Sequence, residues 1–401
     1  MIAPPGEMQP PPGHLQRVDL LRALAICMVF CFHGFEATFP GSDLPWGGNL
    51  HHFAAAVHPA YLTFYLFSFG KLGVPLFFVI SGFCIHLSYL KWERRRAGWA
   101  GSSWQFIREF YFRRFWRIYP VYLVALAFFT WFGISDLANA KTLKLVVVHA
   151  ALLHNFSPGH FFAINPAFWS IAVEWQLYLI YPLVVIVRRT VGATPAFVFL
   201  ILFGILYRAW VPGFVENSNW HFALSQMPFA YWPQWLIGAW VAERWVTGQS
   251  PLRGVRIWTV AVLSIFAAMN QYQPTSAWSF EVAPLFFALL IEVCIRNQRP
   301  LNHVEKALLP IGLCSYSIYL FHCVIFQWFD WIHRHLYSAL PFVDLTITLV
   351  ALFLLILVPS WLSYRYLELG SVQLGHWLWQ RLRKASPRPV FGPLAYSASR
   401  E

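Results

Sequence analysis

The chain has 401 residues, of which 58% are hydrophobic, 19% aromatic and only 11% charged. Soluble domains carry about 25% charged residues, so this composition excludes an ordinary water-soluble enzyme and points to lipid as the solvent. The net charge of +12 does not imply a nucleic-acid partner, because the Lys and Arg residues cluster between apolar runs, where membrane topology explains them.

Residues 1–16 are Pro-rich and lack the basic region and cleavage site of a secretory signal, so they read as a disordered cytoplasmic tail. The first apolar run, Leu20–Phe39, carries Arg22 and His33. A charged or titratable side chain in lipid costs several kcal/mol near mid-bilayer, so such residues face a protein interior and serve a pathway or a reaction. Their separation along a helix is about 16 Å, roughly half the hydrocarbon thickness. Further apolar runs follow at Gly73–Leu90, Ile118–Ile134, Phe168–Val187, Ala196–Val211, Phe222–Ala242, Ile257–Asn270, Ser279–Ile295, Leu308–Ile332 and Phe342–Tyr364. Leu143–Phe156 is half a span long and broken by His149, His154 and Asn155, which reads as re-entrant or interfacial.

Positive charge tests this topology. With ten spans and both termini cytoplasmic, the inward loops hold Lys91 to Arg117, Arg188–Arg189, Arg244 to Arg256 and Arg296 to Lys306, while the outward loops hold few basic residues, among them Lys141, Lys144 and Arg334. The fold class is therefore an all-α polytopic membrane protein. Its membrane domain spans 17–367, and 368–401 form a cytoplasmic tail expected to be disordered from Gln380. All six Cys lie inside apolar segments, which argues against a disulfide framework. No internal repeat is visible.

The inward loop ends in Arg113-Arg114-Phe115-Trp116-Arg117-Ile118-Tyr119-Pro120. On a helix, Arg114 and Arg117 share one face, and paired guanidinium groups suit phosphates. Glu174, in Trp169 to Gln176, is a lone carboxylate at the start of a span, and His322 lies within a later one. His51, His52, His58, His333 and His335 in outward loops match no structural zinc pattern, so no metal is expected. Cys27 and Cys31 share a helix face, but buried thiols are usually inert.

Five segments together resemble the acyltransferase-3 family of bacterial integral membrane O-acyltransferases. They are Arg17 to Ala25 running on to His33, Gly73 to Phe83, Arg113 to Tyr122, Trp169 to Pro182 and Ser315 to His322. They occur in the family's order and spacing from about residue 15 to 367, with Leu21 standing where the family commonly has Gly. The resemblance implies ten spans, in agreement with the count above. It also implies transfer of an acyl group, most often acetyl, from cytoplasmic acyl-CoA to a hydroxyl of an exported carbohydrate or glycolipid in the bacterial inner membrane. By the family pattern, Arg22 and His33 form the essential pair and Arg114 with Arg117 serves the CoA side.

The residues suit that chemistry. Acyl transfer from a thioester to a hydroxyl needs a base of near-neutral pKa, stabilisation of an oxyanion and a grip on phosphate. His33 fits the base or, alternatively, a carrier acylated covalently; Arg114 and Arg117 fit the grip, and Arg22 suits the pyrophosphate or pantetheine arm. Glu174 would orient His33 or bind acceptor hydroxyls, and His322 and Asp19 are candidates for acceptor contact. Trp46, His51, His52, Phe161, Phe162 and Trp220 offer outward surfaces on which a sugar could stack. The competing class is a proton-coupled transporter or flippase of a lipid-linked sugar, which the intramembrane charges also suit.

Overall fold

The computed structural model describes residues 14–38, 50, 53–54, 59–95, 103–133, 139–214, 219–249, 253–271, 273–336 and 341–385. Among these residues every regular element is helical. Lipid offers no hydrogen-bond partners to the backbone, so an apolar chain must satisfy its own peptide groups, and helices do this within one segment. The order is α1 (His14–Thr38), a 3-10 helix (Pro59–Leu72), α2 (Gly73–Arg95), α3 (Ser103–Gly133), α4 (Ala140–Ala150), one-turn α5 (Pro158–Phe161) and α6 (Phe168–Val191). Then come α7 (Ala193–Phe214), α8 (Asn219–Ser225), α9 (Pro228–Val246), α10 (Val255–Gln271), α11 (Gln273–Arg296), α12 (His303–Leu313) and α13 (Ser315–Leu336). Helix α14 (Pro341–Leu362) passes through a π-helical turn (Ser363–Glu368) into α15 (Leu369–Ala385).

By length and composition, six helical segments of the described residues are long and apolar enough to cross a membrane, or seven if the bent pair α12–α13 counts as one span. Several boundaries differ from the sequence reading. The span expected at Leu308–Ile332 is broken by a 74° bend between α12 and α13, at Cys314, where Pro310 interrupts the preceding turn. Phe222–Ala242 is likewise two helices, α8 and α9, with Pro228 opening the second. The basic stretch Lys91 to Arg117 is helical on both sides, because α2 runs on to Arg95 and α3 begins at Ser103. Disorder does not begin at Gln380 either, since α15 continues to Ala385. Helix α4, at about 16 Å, is too short to cross, which agrees with the expectation for Leu143–Phe156.

Helix α1 lies at the centre, packed against the 3-10 helix, α2, α11, α12 and α13. Glycine permits the closest crossings. A Cβ at Gly82 would lie 1.8 Å from the carbonyl oxygen of Trp235, and one at Gly238 1.9 Å from that of Val79, so α2 and α9 touch backbone to backbone. Gly312 meets the backbone of Asp19 in the same way, seating α12 against the start of α1.

Beside the α2–α9 crossing lies a buried polar network that the sequence did not announce. His86 contacts Tyr181 OH through Nδ1 at 3.0 Å and Glu243 Oε2 through Nε2 at 2.7 Å. Arg188 grips both oxygens of Glu243, each at 2.8 Å, and also pairs with Glu93 at 3.1 Å. The network joins α2, α6 and α9. A second buried pair, His149 and His154, stacks with ring centroids 4.0 Å apart where the chain leaves α4.

Candidate active site

A cavity of about 390 Å³ opens between α1, α2, α3, α6, α12, α13 and the π-helical turn. Its lining includes Asp19 and Arg22 from α1, Arg114 and Arg117 from α3, Glu174 and Tyr178 from α6, and Glu368 from the π-helical turn. Five of these were expected to be functional from sequence, and the fold brings them to one place. Arg22 bonds to Asp19 Oδ1 at 2.5 Å and to Cys84 Sγ at 3.3 Å. The Arg114 guanidinium lies over the rings of Phe110 and Tyr178, at 6.0 and 5.9 Å, and its Nε is buried without a hydrogen-bond partner. Arg117 faces Glu368 at 3.9 Å, and Glu368 Oε2 is also buried without a partner.

Glu174 is held by a directed chain. Trp235 Nε1 donates to Ser81 Oγ at 3.3 Å. Ser81 and Tyr178 OH are 3.1 Å apart, and Tyr178 donates its hydroxyl to the carboxylate of Glu174. With the tyrosine proton spent on Glu174, Ser81 must donate to Tyr178. The carboxylate therefore faces the cavity with its orientation set from behind.

His33 and His322 are not among the residues lining the cavity. They pack against each other with centroids 5.0 Å apart, and Tyr319, which does line the cavity, packs against His322. The Tyr319 ring lies 5.5 Å from that of His322, and its hydroxyl is 2.6 Å from Ser170 Oγ. His33 Nδ1 is 2.9 Å from Glu36 Oε2. Glu36, one helical turn on, thus orients His33, while Glu174 is held by Tyr178 in the cavity. His322 Nδ1 donates to the carbonyl of Tyr319 at 2.7 Å. Tyr319 sits inside a quoted motif, yet only packing shows that it touches both the cavity and His322.

A smaller space of about 160 Å³ adjoins the cavity and shares Arg114, Arg117 and Val372 with it. Arg113 and Trp116 of α3 line it with Gly375, His376 and Trp379 of α15, in the stretch read from sequence as a tail. A Cβ at Gly375 would lie 2.5 Å from Trp116, so glycine lets the two helices meet. Trp379 Nε1 is buried there without a partner. Of the aromatic residues expected to face a sugar, Phe161 is buried on Trp169 with centroids 5.4 Å apart, and Phe162 is exposed. Trp46, His51, His52 and His58, and the side chains of Trp220, His333 and His335, lie outside the described residues.

Comparison with known proteins assigns this arrangement to a family. The chain is 25% identical to peptidoglycan O-acetyltransferase OatA of Listeria monocytogenes over 346 residues, which cover 77% of this chain and 49% of that protein. It is 23% identical over 365 residues to Nodulation protein 10 of Rhizobium leguminosarum bv. viciae, covering 80% of this chain and 88% of that one. An uncharacterized protein of Haemophilus influenzae is 28% identical over 192 residues, 42% of this chain and 73% of that one. The chain thus spans about half the length of OatA and most of the length of the other two. No solved structure matches. The family model described as an acyltransferase domain matches residues 15–365, nearly the whole of the chain, which therefore belongs to the acyltransferase-3 family.

Proposed function

We propose that the protein is a membrane O-acyltransferase. It moves an acyl group, acetyl above all, from cytoplasmic acyl-CoA to a hydroxyl of a carbohydrate or glycolipid, a component of exported or cell-surface polysaccharide. The ten-span topology with both termini cytoplasmic, and residence in the bacterial inner membrane, belong to the same reading. One observation carries it. A cavity gathers Arg22, Arg114, Arg117 and Glu174 from separate segments, and its lining residue Tyr319 packs against the His33–His322 pair through His322. The peptidoglycan O-acetyltransferase among the relatives supports the carbohydrate acceptor.

Charge divides the donor between the two spaces. Arg114 and Arg117 line both spaces; beyond them the cavity has Arg22 against Asp19, Glu174 and Glu368. The adjoining space adds Arg113 and His376 and has no carboxylate. Phosphates belong in the second, where the unpartnered N–H groups of Arg114 and Trp379 await an acceptor. The less charged pantetheine arm then runs through the cavity toward Tyr319.

His33, with its Nδ1–H held by Glu36, keeps the Nε2 lone pair free to take the acceptor's hydroxyl proton. The oxygen attacks the thioester carbonyl, and the new C–O bond forms as the C–S bond breaks. The proton leaves with the CoA thiol.

Sidedness tests the reading. In sealed vesicles of known orientation, labelled acetyl-CoA should act only from the cytoplasmic face and label a membrane-impermeant acceptor on the opposite face. If transfer requires both substrates on one side, the through-membrane route fails. If no acyl-CoA labels any acceptor while an intact sugar-lipid crosses, the enzyme reading fails.

A further inference from the structure

We infer that His33, His322 and Cys323 form a binding site for a thiophilic divalent metal ion of the zinc class, and that an ion bound there switches off acyl transfer. The ligating atoms of the three residues all lie within 4.8 Å of one another. Cys323 Sγ is 3.6 Å from His322 Nε2. A tetrahedral ion with Zn–S near 2.3 Å and Zn–N near 2.0–2.1 Å places sulfur and nitrogen about 3.6 Å apart, so this edge of the tetrahedron is already formed.

The hydrogen bonds around the site favour the metal-binding form of both imidazoles. Ligating histidines characteristically donate their other nitrogen to a carboxylate or a backbone carbonyl. His33 Nδ1 faces the Glu36 carboxylate at 2.9 Å, and His322 Nδ1 donates to the Tyr319 carbonyl at 2.7 Å. With protons on both Nδ1 atoms, both Nε2 atoms present lone pairs, that of His322 facing the Cys323 thiol whose proton an ion would displace. Charge also closes, because a dication meets the Cys323 thiolate and the Glu36 carboxylate, with the imidazoles neutral. His322 and Cys323 are buried, but the side chains of His33 and Glu36 keep 23% and 34% exposure, which gives an ion its way in. Three protein ligands leave a fourth position for water. Binding forms an S–metal bond, releases the thiol proton to solvent and involves no change of oxidation state.

The consequence follows from the same lone pair. An ion on His33 Nε2 occupies the electrons that would take the acceptor's proton, so metal and acceptor exclude each other. That consequence rests on the base role proposed for His33, whereas the site itself does not.

The test uses the full-length protein in detergent, stripped with a chelator and titrated with Co²⁺. Near-ultraviolet thiolate-to-cobalt absorption should rise to one equivalent and be displaced by Zn²⁺. Cys323→Ser should lose this band and Cys31→Ser should keep it. His322→Gln tests the site through a different ligand and should weaken binding at least as much as Glu36→Gln, for which about 10–100-fold is expected. Zn²⁺ should inhibit acyl transfer reversibly, and Cys323→Ser should stay active while needing at least about tenfold more Zn²⁺ for inhibition. No thiolate band in the wild type, or an unchanged band and affinity in Cys323→Ser, overturns the site. A Cys323-dependent band without inhibition upholds the site and removes His33 from the proposed chemistry.

Discussion

Two polar clusters of similar composition lie in this molecule, and they differ in how completely their groups are paired. In the His86–Glu243–Arg188 network, both ring nitrogens of the histidine and both carboxylate oxygens of Glu243 have partners at 2.7–3.0 Å. In the cavity, Arg114 Nε and Glu368 Oε2 are buried without partners, and about 390 Å³ of space lies between the charged groups. Buried polar groups are normally satisfied, so an orphaned one in a native fold asks for a ligand. The saturated cluster is scaffold, and the unsaturated one is prepared for something that arrives.

The largest effect should come from neither cluster but from the His33–His322 pair. His33→Ala should leave a folded, inserted protein whose acyl transfer falls by roughly 10²–10⁴-fold, the usual worth of a general base. Near-normal product from that variant would end the assignment. Breaking the scaffold should act on stability instead. Arg188→Met strands Glu243 and should cost about 3–5 kcal/mol in detergent unfolding, with unchanged donor affinity in the protein that stays folded. An equal loss of donor affinity would merge the two clusters into one.

Arg114→Ala and Arg117→Ala should do the reverse. Each removes a charge-assisted contact of about 1.5–3 kcal/mol, or roughly ten- to a hundredfold in CoA affinity, measured by equilibrium binding, with little change in unfolding. Arg117→Lys refines the test, because a point charge cannot replace a planar fork.

The stacked histidines, where both ring nitrogens of His154 are buried without a partner, give a pH signature of burial itself. Burial, and then the neighbouring His149, hold His154 down from 6.5 to about 3. The folded form therefore keeps His154 neutral, and its stability is intact above pH 6.5 and lost as pH falls toward 3. At pH 5 the loss should approach about 2 kcal/mol, and His154→Phe should flatten that slope in unfolding measurements. The smallest effect is expected at Trp379→Phe, which keeps the ring and removes its unpartnered N–H. Donor affinity should fall only severalfold, about 0.5–1.5 kcal/mol, and unchanged binding would place the phosphates elsewhere.

Much of this site was legible in the chain. Arg22 stood out because charge in an apolar run is costly, Arg114 and Arg117 as a pair on one helix face, Glu174 as a lone carboxylate at the start of a span and Asp19 within a family motif, and all five line the cavity. The His33–Glu36 contact was equally legible, since a carboxylate three residues on lies on the same helix face, yet the sequence reading named only Glu174 for that role, as one of two alternatives. Glu368 and Trp379 carried no local signal, because one ends a π-helical turn and the other lies in what reads as a tail.

What the sequence determined by itself is the kind of solvent, the helical class, most span positions and the family, all properties written in composition, in period and in ordered motifs. The tertiary structure alone decided which groups meet. His33 and Cys323 are brought together by the packing of α1 against α13, and the 74° break before α13 sets the direction in which that helix leaves the site. The physical reason is that lipid acts on each segment independently and leaves a periodic trace along the chain. Contacts between helices depend instead on crossings such as Gly82 on Trp235 and Gly312 on Asp19, whose partners have no fixed spacing in sequence.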